Sequence, residues 1–397
     1  MKPYDYFNHL TNRKEKPNKF KPMKKMISVF KVFAMFIMVL LSTSIYGQFS
    51  QLGPFMAGSA DDAEKIFGAY ISPYANGIGA GLSSGWYNTA KPHSTLGFDL
   101  TLTLNVAIIP TADKTFNPQS LGLGGNDIIS RVDFSGTSSP TAAGKKSAGP
   151  EAIYYVYNPN TDTDYELARF NLPKGSGFGY TLNPMIQAGL GIYKETEIMV
   201  RYSPELSLGD GGKVGLWGVG LKHGLKQWIP FLKRIPIFEM SIMGGYTKLY
   251  SKSDINFQPS FYEGQPGIDV WPSINPDLYS DQEMYLGVQN ITANLLLSAN
   301  LPVICFYGGV GISSTTTDMQ LNGFYPFPQI QGSQIVVSDD TAIKNPIDIS
   351  IKNNDGSVTK PRYNVGFRLK MAVITIHFDY TYANYSIATA GLGVSLR

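Results

Sequence analysis

From Val365 the apolar positions fall on every second residue, Val365, Phe367, Leu369 and Met371, with Gly366, Arg368 and Lys370 between them. A period of two is that of a β-strand with two chemically different faces. After a change of parity at Met371 and Ala372, the mark of a tight turn, the alternation resumes as Ala372, Ile374, Ile376, Phe378, Tyr380 and Tyr382, and Val373, Thr375, His377, Asp379 and Thr381 take the other face. Alternation over about 11 residues is longer than the roughly 5 or 6 of a soluble strand and matches the 9 to 11 tilted residues that cross a bilayer. Tyr380 and Tyr382 end the apolar face, where an amphipathic ring favours the headgroup level. Leu392, Val394 and Leu396, alternating with Gly391, Gly393 and Ser395, predict a last strand.

The same pattern recurs upstream. Phe98, Leu100, Leu102, Leu104, Val106 and Ile108 oppose Asp99, Thr101, Thr103 and Asn105; Ile198, Val200 and Tyr202 oppose Glu197, Met199 and Arg201; Phe238, Met240 and Ile242 oppose Glu239, Ser241 and Met243. Strands with apolar outsides and charged or hydroxyl insides predict an all-β fold, a transmembrane antiparallel β-barrel of about 10 to 14 strands, even in number. Residues 285–301 and 213–221 are apolar on both faces and are expected to pack inward on a plug. Long polar segments at 111–176, 251–281 and 316–361 are expected to be extracellular loops, the first with an extra hairpin of 153–157 and 165–170. Ser59, Asp61 and Asp62 followed by Ala63, Ile66, Phe67 and Tyr70 give the cap, first-turn acids and spacing of a short amphipathic helix that could enter a barrel mouth. The glycine-rich run 77–86, ending in Trp86, reads as a first strand. Residues 223–237 break the pattern: Pro230 and Pro236 restrict them to short turns, and Trp228, Ile229 and Phe231 among Lys222, Lys226, Lys233 and Arg234 suit a membrane surface.

Composition agrees with a membrane wall. Of 397 residues only 16% are charged, against about 25% in soluble chains, and 13% are aromatic. The net charge of +3 comes largely from the N-terminus, so nothing points to nucleic acid. Lys24 and Lys25, an apolar run at 32–41, then Ser42, Thr43, Ser44 and Gly47 follow the order of a secretory signal. Cleavage is expected after Gly47 or Ser44, and residues 1–22 read as an upstream extension. The expected organisation is therefore a signal at 1–47, a helical plug at 48–76 and a barrel at 77–397. The lone Cys305 excludes a disulfide framework and reads as a small residue packed in a strand wall.

The run GWYNTAKPHSTLGFDLTLTLN, the KHGLKQWIP segment and the terminal RYNVGFRLKMAVITIHFDYTY pair resemble a family of uncharacterised outer-membrane barrels from Bacteroidota. More distantly, an N-terminal plug ahead of long strands is similar to the long-chain fatty-acid transporters of the outer membrane. That resemblance implies a barrel in the bacterial outer membrane, delivered by the barrel assembly machinery, in contact with outer-membrane lipids and passing small molecules, hydrophobic ones included. It carries no site residue across. Arg397 departs from the aromatic residue that commonly ends the assembly signal of such barrels.

The candidate lumen-facing set is Asp99, Asn105, Arg201, Glu239, Arg368, Lys370, His377 and Asp379, since rings of charge tune which solutes pass. His377 and Asp379 share a face two residues apart, and Ser395 or Ser386 could complete a hydrolase triad. No GxSxG elbow accompanies them. No metal or phosphate-loop spacing appears, so no catalytic residue, cofactor or metal is expected. The leading expectation is a non-enzymatic conduit or binding barrel. A structural or surface-interaction barrel with a closed lumen competes with it, and a soluble secreted β-sandwich is the third reading.

Overall fold

The computed structural model describes residues 56, 58–125, 129–158, 162–207, 212–331, 334–352 and 357–396. The expected signal at 1–47 and the terminal Arg397 lie outside them.

Ten antiparallel strands make the wall: β1 (Phe98–Ile108), β2 (Tyr180–Gly191), β3 (Thr196–Ser207), β4 (Gly212–Gly224), β5 (Phe238–Asp254), β6 (Glu283–Asn300), β7 (Ile304–Asn322), β8 (Thr359–Met371), β9 (Ile374–Tyr382) and β10 (Ser386–Leu396). Each pairs with its neighbours in sequence, and β10 returns to β1 with Phe98 opposite Leu396 and Ile108 opposite Ser386, so the sheet closes without an edge. The count falls at the low end of the expected range and is even. One end has the turn after Gly191, the two residues between Met371 and Ile374, and the basic connector between β4 and β5. The other carries the long connections 109–179, 255–282 and 323–358. The connector forms one 3-10 turn (Lys226–Trp228) and one α-turn (Pro230–Lys233), as the prolines require. In the first long loop Glu151–Asn158 pairs with Thr163–Asn171.

Alternation decides which side chains face out. Phe98, Leu100, Leu190, Ile198, Val200, Val219, Leu221, Ile242, Leu297, Val310, Val365 and Phe378 are exposed, and Thr101, Thr103, Asn183, Gln187, Asn290, Thr292, Asn364 and Thr389 are buried. The aromatic residues Tyr180, Tyr202, Trp217, Tyr363 and Tyr382 are exposed at the loop end, and Tyr193, Trp228 and Phe231 at the turn end. An apolar belt between two aromatic girdles, on a sheet with no free edge, is the form in which strands cross a membrane. The protein is a barrel of the bacterial outer membrane, with its long loops outside.

The N-terminal helix is longer than its pattern suggested. α1 (Ala60–Ser83) begins at Ser59, whose hydroxyl accepts the Asp62 amide at 3.2 Å, and continues through Pro73. The run 77–86 is therefore mostly helix and not a first strand, and the plug passes residue 76. The cause is packing. Glycines weaken a helix by up to about 1 kcal/mol each, but here they let it touch the wall: a β-carbon on Gly77, Gly79 or Gly81 would run into Thr181, Thr315 or Asn183. Leu82 meets Met185, Leu216 and Val288, the inward apolar residues of β2, β4 and β6. The upper half of α1 instead enters an apolar core made by the long loops, where Ile66, Phe67, Tyr70 and Ile71 cluster with Tyr154, Leu167, Phe257, Tyr262, Phe327 and Ile347. Among the described residues no helix is long and apolar enough to cross a membrane.

Two glycines separate fit from propensity. Gly79→Val should lower the urea midpoint of the folded, unboiled gel band by the equivalent of about 1–3 kcal/mol. Gly68→Ala, whose β-carbon meets only Ile349 at 3.8 Å, should leave the midpoint unchanged or raise it. Equal responses would mean that the helix is not wedged against the wall.

Candidate functional site

The candidate site is the plugged lumen, where the last turn of α1 meets the polar faces of the strands. Arg201 of β3 donates to Leu82 O at 2.8 Å and to Ser84 O at 2.7 Å. Arg362 of β8 donates to Ser83 O at 2.6 Å and to the Ser84 hydroxyl at 3.3 Å. Asn105 of β1 donates to Gly81 O at 3.1 Å. The last carbonyls of a helix have no partners of their own and carry the negative end of its dipole. Two cations and an amide therefore hold the end of the plug, and both guanidinium groups are fully buried.

Below this latch the chain runs along the lumen to β1. The Trp86 ring lies under the Arg201 guanidinium at 3.6 Å, and Gln187 links the two by donating to Trp86 O and accepting from Arg201 Nε, each at 3.0 Å. Gly220 and Gly245 make room for the indole, which a β-carbon on either would meet at 2.7 Å. Tyr87 packs edge-on against Tyr307, whose hydroxyl donates to Asp379 at 2.9 Å. At the turn end the His93 amide and Nδ1 both lie 2.9 Å from Glu197 Oε2, Lys222 Nζ lies 3.0 Å from the same oxygen, and His93 Nε2 is 3.2 Å from the Ser395 hydroxyl.

The eight expected lumen residues divide between these groups. Asn105 and Arg201 hold the helix, Arg368 donates to Asn88 at 3.0 Å, and Asp379 is bound by Tyr307 and Asn364. Asp99 stands 3.8 Å from His93 Nε2, and Glu239 pairs with Lys226 at 3.4 Å. Lys370 is half-buried near the turn end, and among the described residues neither ring nitrogen of the buried His377 has a hydrogen-bond partner. The pair His377 and Asp379 does not make a triad: Asp379 turns to Tyr307 and Asn364, Ser395 goes to His93, and Ser386 accepts from or donates to the Tyr380 hydroxyl at 2.7 Å. Cys305 is buried in the wall.

The candidate lumen set left out Arg362, Glu197, Lys222 and His93, although Glu197 reads as a polar strand face and Lys222 as part of the basic connector. Arg362 has the parity of Asn364 and Arg368 and was hidden by Pro361. Glu197 has the parity of Arg201. Ser395, His93 and Glu197 have the spacing of nucleophile, base and orienting acid, but the adjoining cavity of about 10 Å³ has room for about one water and none for an acyl group. His93, Asp99 and Glu197 also place three potential metal-ligand atoms within 4.8 Å of one another. The ammonium of Lys222 already supplies the cation there, on a carboxylate oxygen that also accepts the His93 amide. The cluster fits a pin that fastens the descending chain to the wall.

Residues 23–396 match the family described as "Family of unknown function (DUF6588)". No curated protein matches the sequence. Among solved structures, the outer membrane protease OmpT from Escherichia coli is similar at 8% identity over 76% of this chain and 97% of its own, with a TM-score of 0.28. The translocator domain of the autotransporter NalP from Neisseria meningitidis is similar at 8% identity over 76% and 89%, TM-score 0.25. The P. putida toluene transporter TodX is similar at 8% identity over 75% and 88%, TM-score 0.21.

Glu197→Gln should lower stability by about 3–5 kcal/mol, because Lys222 and His93 lose the carboxylate they share in a buried site. Glu197→Gln with Lys222→Met should recover most of that loss in the same urea titration. A single variant as stable as the parent would remove the pin.

Proposed function

The chain belongs to this DUF6588 family, and we propose that it is a closed-lumen outer-membrane barrel that works through its loop cap, in a structural or surface-interaction role, without a standing pore. One observation carries this reading: the lumen is occupied from end to end, by the glycine-rich half of α1 above the latch and by residues 84–97 below it. The cavity between Trp86 and the pin has room for about one water. Above them the loops close over the upper half of α1 with an apolar core of their own. The role is non-enzymatic and needs no cofactor. Outer-membrane lipids surround the belt, and the barrel assembly machinery inserts it.

A conduit for small molecules is the second reading, and one observation favours a form of it. The wall behind the helix is lined by amides and hydroxyls, and Thr103 Oγ1, Asn290 Oδ1 and Asn294 Oδ1 are buried without a partner among the described residues. Such groups are satisfied by water. If α1 moved, this wall would suit polar solutes better than hydrophobic ones.

Refolded full-length protein in a planar bilayer should insert, shown by heat-modifiable migration, and give no sustained current. A long-chain fatty acid should not change that record or bind with saturation. Steady ohmic conductance in the unmodified protein would sink the closed-lumen reading, and saturable fatty-acid binding would restore the hydrophobic conduit.

A further inference from the structure

Arg201 and Arg362 present an electrostatic imbalance. Both are buried to within 1% exposure, and among the described residues neither forms an ion pair with a carboxylate. Desolvating a cation is costly unless an opposite charge or a set of hydrogen bonds replaces water. What touches these two is the carbonyl end of α1, worth about half a negative charge, while the buried Asp379 carboxylate acts on Arg362 through space and spends its hydrogen bonds on Tyr307 and Asn364. Two full positive charges from strands on different sides of the wall thus converge on residues 82–84, where the direct contacts supply only a partial counter-charge and Arg201 has no carboxylate partner among the described residues.

The hydrogen bonding is also incomplete. Arg362 Nε is buried with no acceptor among the described residues, although its two terminal nitrogens are engaged by Ser83, Ser84 and Thr292. A carboxylate or phosphate accepts two or more N–H groups from a guanidinium fork and carries a full charge or more, so it matches such a fork better than a backbone carbonyl does.

We propose that Arg201 and Arg362 form an anion-binding site that the end of α1 occupies from within, and that a small water-soluble carboxylate or phosphate competes with the helix for it. This rests on the closed-lumen reading and adds the chemistry of the solute that would loosen the plug. The side chains point into the lumen from the face opposite the lipid belt, so a dissolved anion is the competitor and a lipid headgroup is not.

The test uses the full chain in planar bilayers of neutral phosphatidylcholine under a potassium chloride gradient. Parent protein should be silent. Arg201→Lys with Arg362→Lys keeps the charge but loses the forks, so it should open intermittently and pass chloride over potassium by a ratio above about 2. Arg201→Gln with Arg362→Gln should also open, with a ratio near 1. Equal ratios in the two variants, or no opening in either, overturns the proposal and leaves the closed-lumen reading standing. Current in the parent overturns that reading instead.

If the variants do not fold, the decision moves to protein carrying Trp217→Phe, Trp228→Phe and Trp271→Phe, in which Trp86 is the remaining tryptophan. Replacing chloride with inorganic phosphate at constant ionic strength should shift Trp86 emission in a saturable way, because the ring lies against Arg201. Phosphatidylglycerol bilayers without phosphate should not produce the shift. A shift from the lipid alone reassigns the site to headgroups and overturns the proposal, as does no shift with phosphate.

Discussion

A helix inside ten strands has little room, and that constraint governs the rest of the protein. With strands about 4.8 Å apart and tilted by roughly 40°, ten of them close at a backbone radius of about 10 Å. Wall side chains take roughly half of that, and a helix with ordinary side chains is about 5–6 Å in radius. The fit closes only if one partner gives up its side chains. In α1 the concession is made at Gly77, Gly79 and Gly81, set against Thr181, Thr315 and Asn183. Where the bulky Trp86 follows, the concession passes to the wall at Gly220 and Gly245. Small residues thus alternate between plug and barrel as the cross-section requires.

A polar wall and a bare helix still need a reason to stay together. Glycines bury little apolar surface, so beside the contacts of Ala80 and Leu82 the lower half of α1 is held by hydrogen bonds at its end: Asn105, Arg201 and Arg362 reach the carbonyls of residues 81–84 from three strands. Below, the pin at Glu197 repeats the logic with opposite sign, one buried carboxylate oxygen gathering His93 and Lys222. Charges of both signs line the lumen, and most of them work on the plug instead of facing an open channel.

The barrel was legible in the sequence because its strands answer to one external constraint. Lipid on one side and polar filling on the other impose a strict period of two, and β1, β8 and β9 show it within single strands. The helix was half legible. Its first turns obey ordinary capping and amphipathic rules, from Ser59 to Tyr70. Its second half breaks them, because glycine at 77, 79 and 81 serves a contact with residues more than a hundred positions away, and no local window contains Thr181 or Thr315. The latch was hidden in the same way. Arg201 reads as one more inward charge, and its role exists only because a helix ends beside it.

The two halves of α1 are secured by different physics at different depths of the barrel. The upper half is held by apolar burial, with Tyr262 also donating its hydroxyl to Met56 O at 2.6 Å. The lower half is held by charge-assisted hydrogen bonds, which weaken when another anion or water satisfies the same donors. The descending chain is also continuous with β1, whose register with β10 runs from Phe98 to Ile108. Withdrawing the plug through the turn end would therefore unzip the seam of the barrel. Withdrawing it through the loop end would break the apolar core of the cap. The least costly movement keeps both ends fixed and frees only the middle, where polar contacts at the latch can be exchanged for others. On the proposed reading, an opening of this barrel would begin at Arg201 and Arg362, and its width would be set by how far a helix anchored at both ends can lean from the wall.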